Sequence, residues 1–201
     1  MKQEPCATVV GDLVASRTRS DRAGLHERFA AALQRANAEL SPVVPLRIQA
    51  GDEFQGRFAT RGDALAAVLR LRLMLAPDVE CRYGVGWGPL TVLDPSTGVE
   101  DGPGWWLARD AIDAVHASRT RRTAYRGPDQ ELIEAVLLGR DALLARLDAR
   151  SVRILQGLLE GVAQRDLAEE LGVSASAISQ RVRHDELAAL AAQDALLREV
   201  E

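Results

Sequence analysis

Apolar residues recur along this chain in two rhythms, one with the period of a strand and one with that of a helix. Residues 7–10 form a short β-rich run ending at Gly11-Asp12. Over residues 21–40 the apolar positions Leu25, Phe29, Ala32, Leu33 and Ala36 then fall at helical spacing. After a Ser41-Pro42 break, Leu46-Arg47-Ile48 alternates as a strand, meets Gly51-Asp52 and resumes over residues 54–58. This is the signature of a tight hairpin whose tip carries Asp52 and Glu53. Residues 63–75 return to the helical period, with Leu65, Val68, Leu69 and Leu73 predicted on one face, and residues 81–87 read as another strand. The predicted order is βαββαβ.

That order belongs to α+β folds of the ferredoxin-like and palm type, in which two helices cover one face of an antiparallel sheet. A turn-rich loop over residues 94–104 and a helix over 105–118 follow. The basic stretch 119–126 is expected as an exposed, solvated loop, and Gly127-Pro128 breaks the chain. Residues 129–147 predict a leucine-rich connecting helix, and from residue 149 onward the pattern is helical and free of proline. The expected organisation is an α+β domain over residues 1–127, a connecting helix over 128–148 and an all-α helix-turn-helix domain over 149–201.

Composition narrows the function classes. With 201 residues and 47% hydrophobic side chains the chain can bury a sizeable core, and a net charge of -4 gives it no overall attraction to polyanions. Any contact with nucleic acid must therefore come from a local patch. Cys6 and Cys81 lie in or beside apolar strand-like runs, where buried free thiols are expected. No apolar stretch reaches the roughly eighteen residues a membrane span needs, and the N-terminus lacks a signal-peptide profile. A cytoplasmic protein without a membrane partner is expected.

The most specific local pattern is QRDLAEELGVSASAISQRV, residues 164–182. Leu167, Ala168, Leu171, Val173, Ile178 and Val182 are spaced so that two short helices pack at a steep angle, with Gly172 at the turn and Ser174 capping the second helix. Ser174, Ser176, Ser179, Gln180 and Arg183 then face outward with Ala175, and Arg165 and His184 flank them toward backbone phosphates. This set suits the major groove of double-stranded DNA. A helical hairpin used for dimerisation or docking is the competing reading, favoured by the acidic Asp166, Glu169, Glu170, Asp185 and Glu186.

In the first half, Gly11-Asp12 and Gly51-Asp52 fall on strands that neighbour each other in a βαββαβ sheet. Asp12 and Asp52, with Glu53 as a third carboxylate, form a candidate Mg²⁺ site, and the backbone amides of Leu13, Val14, Ala15, Ser16 and Arg17 a candidate phosphate cradle. Turn capping by both aspartates explains the same dipeptides. Trp87, Trp105 and Trp106, the only tryptophans, have two readings: stacking on a base, or core and interface packing.

The segments GDLVASR, AGDEFQGRF, RYGVGWGPLTV and DGPGWWLARDAID, in that order, resemble the SatD family of bacterial proteins and span most of residues 8–114. The first three are also distantly similar to the metal-binding strand, metal-binding hairpin and glycine-containing strand of class III nucleotidyl cyclases. That similarity implies metal-binding roles for Asp12 and Asp52. Ile48 stands where those cyclases carry a base-selecting lysine, and it offers no hydrogen bond to a purine. Trp106 and Asp110 stand where they carry an asparagine and an arginine, with Arg109, a candidate phosphate ligand, one position out of register. These departures argue against turnover. The expected function is a DNA-binding transcriptional regulator whose cyclase-like domain forms a homodimer or senses a nucleotide-type ligand. The alternatives are a metal-dependent nucleotidyl cyclase or other phosphoryl-transfer enzyme, and a non-catalytic scaffold.

Overall fold

Strand alternation and helix capping set the first half of the chain, which a computed structural model describes over residues 4–14 and 21–201. In β1 (Pro5–Leu13) Ala7, Val9 and Leu13 point to one core and Thr8 and Val10 to the opposite side. Asp21 accepts the Gly24 amide and starts α1 (Arg22–Leu40). The hairpin β2 (Val44–Ala50) and β3 (Glu53–Phe58), the helix α2 (Arg61–Leu75) and the strand β4 (Cys81–Pro89) complete the predicted βαββαβ order. Thr60 caps α2 by accepting the Asp63 amide.

A five-stranded sheet runs β2-β3-β1-β4-β7, where β7 (Thr123–Arg126) lies parallel to β4 and the other pairs are antiparallel. On one face α1 and α2 enclose a core around Phe29, Phe54 and Tyr83, whose rings meet edge to face at 5.4 and 6.0 Å. On the other lies α3 (Pro103–His116), directly on the backbone of β4. A methyl group at Gly84 would stand 2.3 Å from the Ala108 carbonyl oxygen, and one at Gly86 2.3 Å from the Ala108 nitrogen. Alternate glycines thus remove every side chain that would hold the helix off the strand. The glycine-rich segment of β4 serves this contact.

Three strands were not expected. Residues 94–104 are not a plain loop: β5 (Thr91–Asp94) and β6 (Val99–Asp101) form an antiparallel ribbon there. The basic stretch is not a wholly solvated loop either. Its second half is β7, with Ala124 and Tyr125 fully buried, and three of its four arginines are paired, Arg121 and Arg126 to Glu134 and Arg122 to Glu80, while Arg119 is exposed.

Beyond β7 come α4 (Gln130–Leu144), α5 (Ala149–Leu159), α6 (Gln164–Leu171), α7 (Ala175–His184) and α8 (Leu187–Arg198). The predicted single apolar face of α2 is in fact divided. Leu65 and Val68 join the sheet core, whereas Leu69 and Leu73 join the core of the C-terminal helices with Ile154, Leu155, Leu167, Ile178 and Leu187. Polar contacts follow the same seam: Arg70 bonds Asp194 of α8 at 2.7 Å, Arg72 bonds Asp141 of α4, and Gln156 donates to the Leu73 carbonyl at 2.9 Å. Cys6 and Cys81 are buried free thiols, and burial pushes Cys81 up to about 12. Among the described residues no helix is long and apolar enough to cross a membrane.

Candidate functional site

Because Leu46 and Phe54 turn toward the α1–α2 core, their neighbours Arg47, Gln49 and Gln55 face the other side of the sheet. Helix α3 covers the β1, β4 and β7 part of that side, where Thr8 donates to the Gly104 carbonyl at 2.8 Å, Val10 packs on Ala108 and Ile112, and Ala124 packs on Ala111 and Val115. The β5–β6 ribbon closes the far end. The result is an open cleft of about 660 Å³. Arg47, Gln49 and Gln55 line its strand wall, Trp106, Arg109 and Asp110 its helix wall, and Thr97 to Glu100 its ribbon wall.

The helix wall is fixed to the ribbon through both indoles. Trp106 donates to Asp101 at 2.8 Å and Trp105 to Glu100 at 3.3 Å. Glu100 also pairs with Arg57 at 3.2 Å, so its charge is balanced beneath the cleft. Among the described residues Arg47 and Arg109 make no ion pair, and the Trp106 side of the cleft is open, the residue being 57% exposed.

Asp12 lies on the same side of the sheet, outside this cleft. Arg82 donates to one of its oxygens at 3.1 Å, and Nε2 of His116, in the last turn of α3, stands 2.6 Å from the other. The hairpin tip adjoins it, for Asp12 pairs in register with Glu53, next to Asp52. Leu13 is buried in the sheet core and the Val14 amide is donated to the Glu80 carbonyl at 2.8 Å, so neither reaches the cleft. Ala15, Ser16 and Arg17 lie outside the described residues. Of the described members of the predicted phosphate set, Arg109 alone lines the cleft. Of the tryptophans, Trp87 packs beneath Arg61, whose guanidinium carbon is 5.6 Å from the ring centroid, and Trp105 is partly buried.

Arg47, Gln49, Gln55, Arg82 and His116 escaped the sequence reading, which singled out Ile48. The signal was present in the strand alternation: with Leu46 inward, positions 47 and 49 must face the opposite side.

The second surface is α7. Gly172 takes the left-handed turn (φ 64°) and Ser174 accepts the Ala177 amide, while Ile178 and Val182 anchor the helix in the C-terminal core. Ser176, Gln180, Arg183 and His184 are exposed and Ser179 is half-buried. Arg165, at the start of α6, is exposed and pairs with Asp166. Nearby acids are largely matched from within: Glu170 by Arg153 at 2.6 Å, and Asp185 by His184 and Arg181. Burial alone would raise Asp185, yet hydrogen bonds from Ser151 and His184 hold it below the usual carboxylate range. A groove of about 420 Å³ beside α7 is lined by Arg150, Gln180, Arg181 and His184, among others.

The SatD family model matches residues 6–191, nearly the whole chain. The chain belongs to the SatD family. No curated protein sequence matches it significantly. Among solved structures, a bacterial light-regulated adenylyl cyclase superposes with a TM-score of 0.51 at 14% identity, covering 62% of the SatD chain and 77% of its own. A second structure of a bacterial light-regulated adenylyl cyclase gives 0.50 at 13%, covering 62% of the SatD chain and 43% of its own. At these identities the likeness establishes a shared α+β fold.

The sequence resemblance to class III nucleotidyl cyclases carries the expectation of divalent cations at Asp12 and Asp52. In the geometry of this SatD chain each Asp12 oxygen already meets a nitrogen of Arg82 or His116. Among the described residues no three His, Cys, Asp or Glu side chains converge. As arranged, this donor set does not fit a divalent cation, because two nitrogen donors stand where the ion would bind.

Proposed function

We propose that this SatD protein is a ligand-responsive DNA-binding regulator. In this reading the cyclase-like part holds a nucleotide-type ligand in its cleft and pairs with a second copy, and α6 and α7 form a helix-turn-helix that reads double-stranded DNA. The observation that carries it is the face of α7: Ser176, Gln180, Arg183 and His184 open to solvent over a helix anchored by Ile178 and Val182. Short polar side chains and one arginine without an internal ion pair are the groups that read base edges in a major groove. Internal matching of Glu170 and Asp185 weakens the repulsion that the sequence charge suggests. A second copy is supported by exposed apolar side chains at and near the cleft mouth, Val43, Val92, Leu93, Val99 and Trp106.

Selection of bound fragments from a random DNA pool by the full chain tests the proposal. An enriched sequence, recurring as two half-sites about one helical turn apart and lost in Gln180→Ala or Arg183→Ala, is the expected result. No enrichment at low salt overturns it.

A second reading, a metal-dependent nucleotidyl cyclase or related phosphoryl-transfer enzyme, is favoured by the closeness of Asp12 to the hairpin tip. It requires Mg²⁺ to displace Arg82 and His116 from Asp12. Product formation from a nucleoside triphosphate with Mg²⁺ or Mn²⁺, abolished by Asp52→Ala, would replace the first reading with this one.

A further inference from the structure

We infer that the cleft takes a nucleotide with a single phosphate group, cyclic or open, without a divalent cation; this rests on the nucleotide-ligand reading above. The argument is one of charge. Arg47 and Arg109 face the cleft without an ion-pair partner among the described residues, against one carboxylate, Asp110, that likewise has none. Glu100, the other acid in the wall, is balanced by Arg57 at 3.2 Å. The open charge is therefore small and positive.

A phosphate monoester carries about -1.5 to -2 at neutral pH, and a cyclic diester less, which two guanidinium groups can match with charge-assisted hydrogen bonds. Each further phosphate adds negative charge that the cleft does not answer. The wall offers a compensating cation one unpaired carboxylate, Asp110, since Glu100 is paired with Arg57 and Asp12 lies outside the cleft, facing Arg82 and His116.

The remaining walls suit a nucleoside. The Trp106 indole nitrogen is bonded to Asp101 at 2.8 Å, which holds the ring at the open side, where a base can stack on it. Gln49 and Gln55 each offer a carbonyl acceptor and an amide NH₂ donor, the pair of groups that matches a base edge, and Val10 and Val44 supply an apolar floor. The volume of about 660 Å³ falls within the range of small-molecule sites.

Titration calorimetry on the full chain, in EDTA and again in Mg²⁺, with 5′-monophosphates, 3′,5′-cyclic monophosphates and triphosphates of the common bases, tests this inference. The expected result is binding of a single-phosphate nucleotide in EDTA, at least about tenfold tighter than the matching triphosphate, unchanged by Mg²⁺ and weakened about tenfold by Arg47→Gln or Arg109→Gln. Both arginines are exposed, so these variants should keep the parent melting temperature. A triphosphate that binds best and only with Mg²⁺ overturns the inference and leaves the nucleotide reading standing. Heat from no nucleotide, with the fold intact, removes both.

Discussion

Arg140 is the least conventional side chain in the molecule. It is 1% exposed, and both terminal guanidinium nitrogens lack a hydrogen-bond partner, as does one oxygen of the nearby buried Asp194. Burial pulls Arg140 down to about 10, so it remains a cation at neutral pH. The nearby carboxylates Asp141 and Asp194 keep Arg72 and Arg70 as partners without Arg140, so a hydrophobe at 140 removes an unsatisfied buried charge and strands none, whereas removing Asp194 leaves the partly buried Arg70 without its partner. Arg140→Met is therefore expected to be neutral or stabilising in urea unfolding, and Asp194→Ala to lose about 3 kcal/mol. Asp148 makes a different kind of contribution. It caps α5 by accepting the Ser151 amide, and that backbone hydrogen bond, with further help from Arg181, holds its carboxyl below the usual range. Asp148→Ala should cost about 1 kcal/mol at pH 7. Because the folded carboxyl is depressed, this stabilisation is present above the ordinary carboxylate range and lost as pH falls through the folded value. The gap between parent and variant should accordingly shrink below about pH 4.

At the level of elements, the contact of α3 with β4 makes the sharpest prediction. Gly86→Ala would drive a methyl into the backbone of Gly104 and Ala108, and a loss of about 2 to 3 kcal/mol or failure to fold is expected. Gly139, on the exposed side of α4, has open space where a methyl would stand, so Gly139→Ala should stabilise by about 0.5 to 1 kcal/mol. Melting both variants beside the parent separates close packing from mere helix propensity. The same elements explain what could be read in the sequence. Long periodic segments such as α1 and the β2–β3 hairpin were legible because each buries one face against one core. The strand β7 was not: it has four residues, and its signal as an edge strand comes from partners on α4 and β4 rather than from its own run of arginines. The ribbon β5–β6 was hidden for a related reason, since its Val92, Leu93 and Val99 are exposed and bury no pattern. The cleft was half-legible. Strand alternation points to Arg47 and Gln49, but only the fold sets them opposite Arg109.

At the scale of the whole molecule, the sheet and the C-terminal helices meet along α2, which is apolar nearly all round its circumference and buries Ala64 to Leu69 without interruption. Heat or urea should consequently melt the protein in a single transition, with near-UV signals from the sheet-side tryptophans and helix content from far-UV dichroism changing together. Two separated transitions would show that the seam is weaker than its packing implies. For anyone dissecting the molecule, this sharing sets a practical limit. A chain stopped near residue 148 would strip Leu69 and Leu73 of every partner on α5 to α8, leaving only Leu144 and its neighbours beside them, and such a fragment should aggregate in the test tube unless both leucines are first replaced by polar residues.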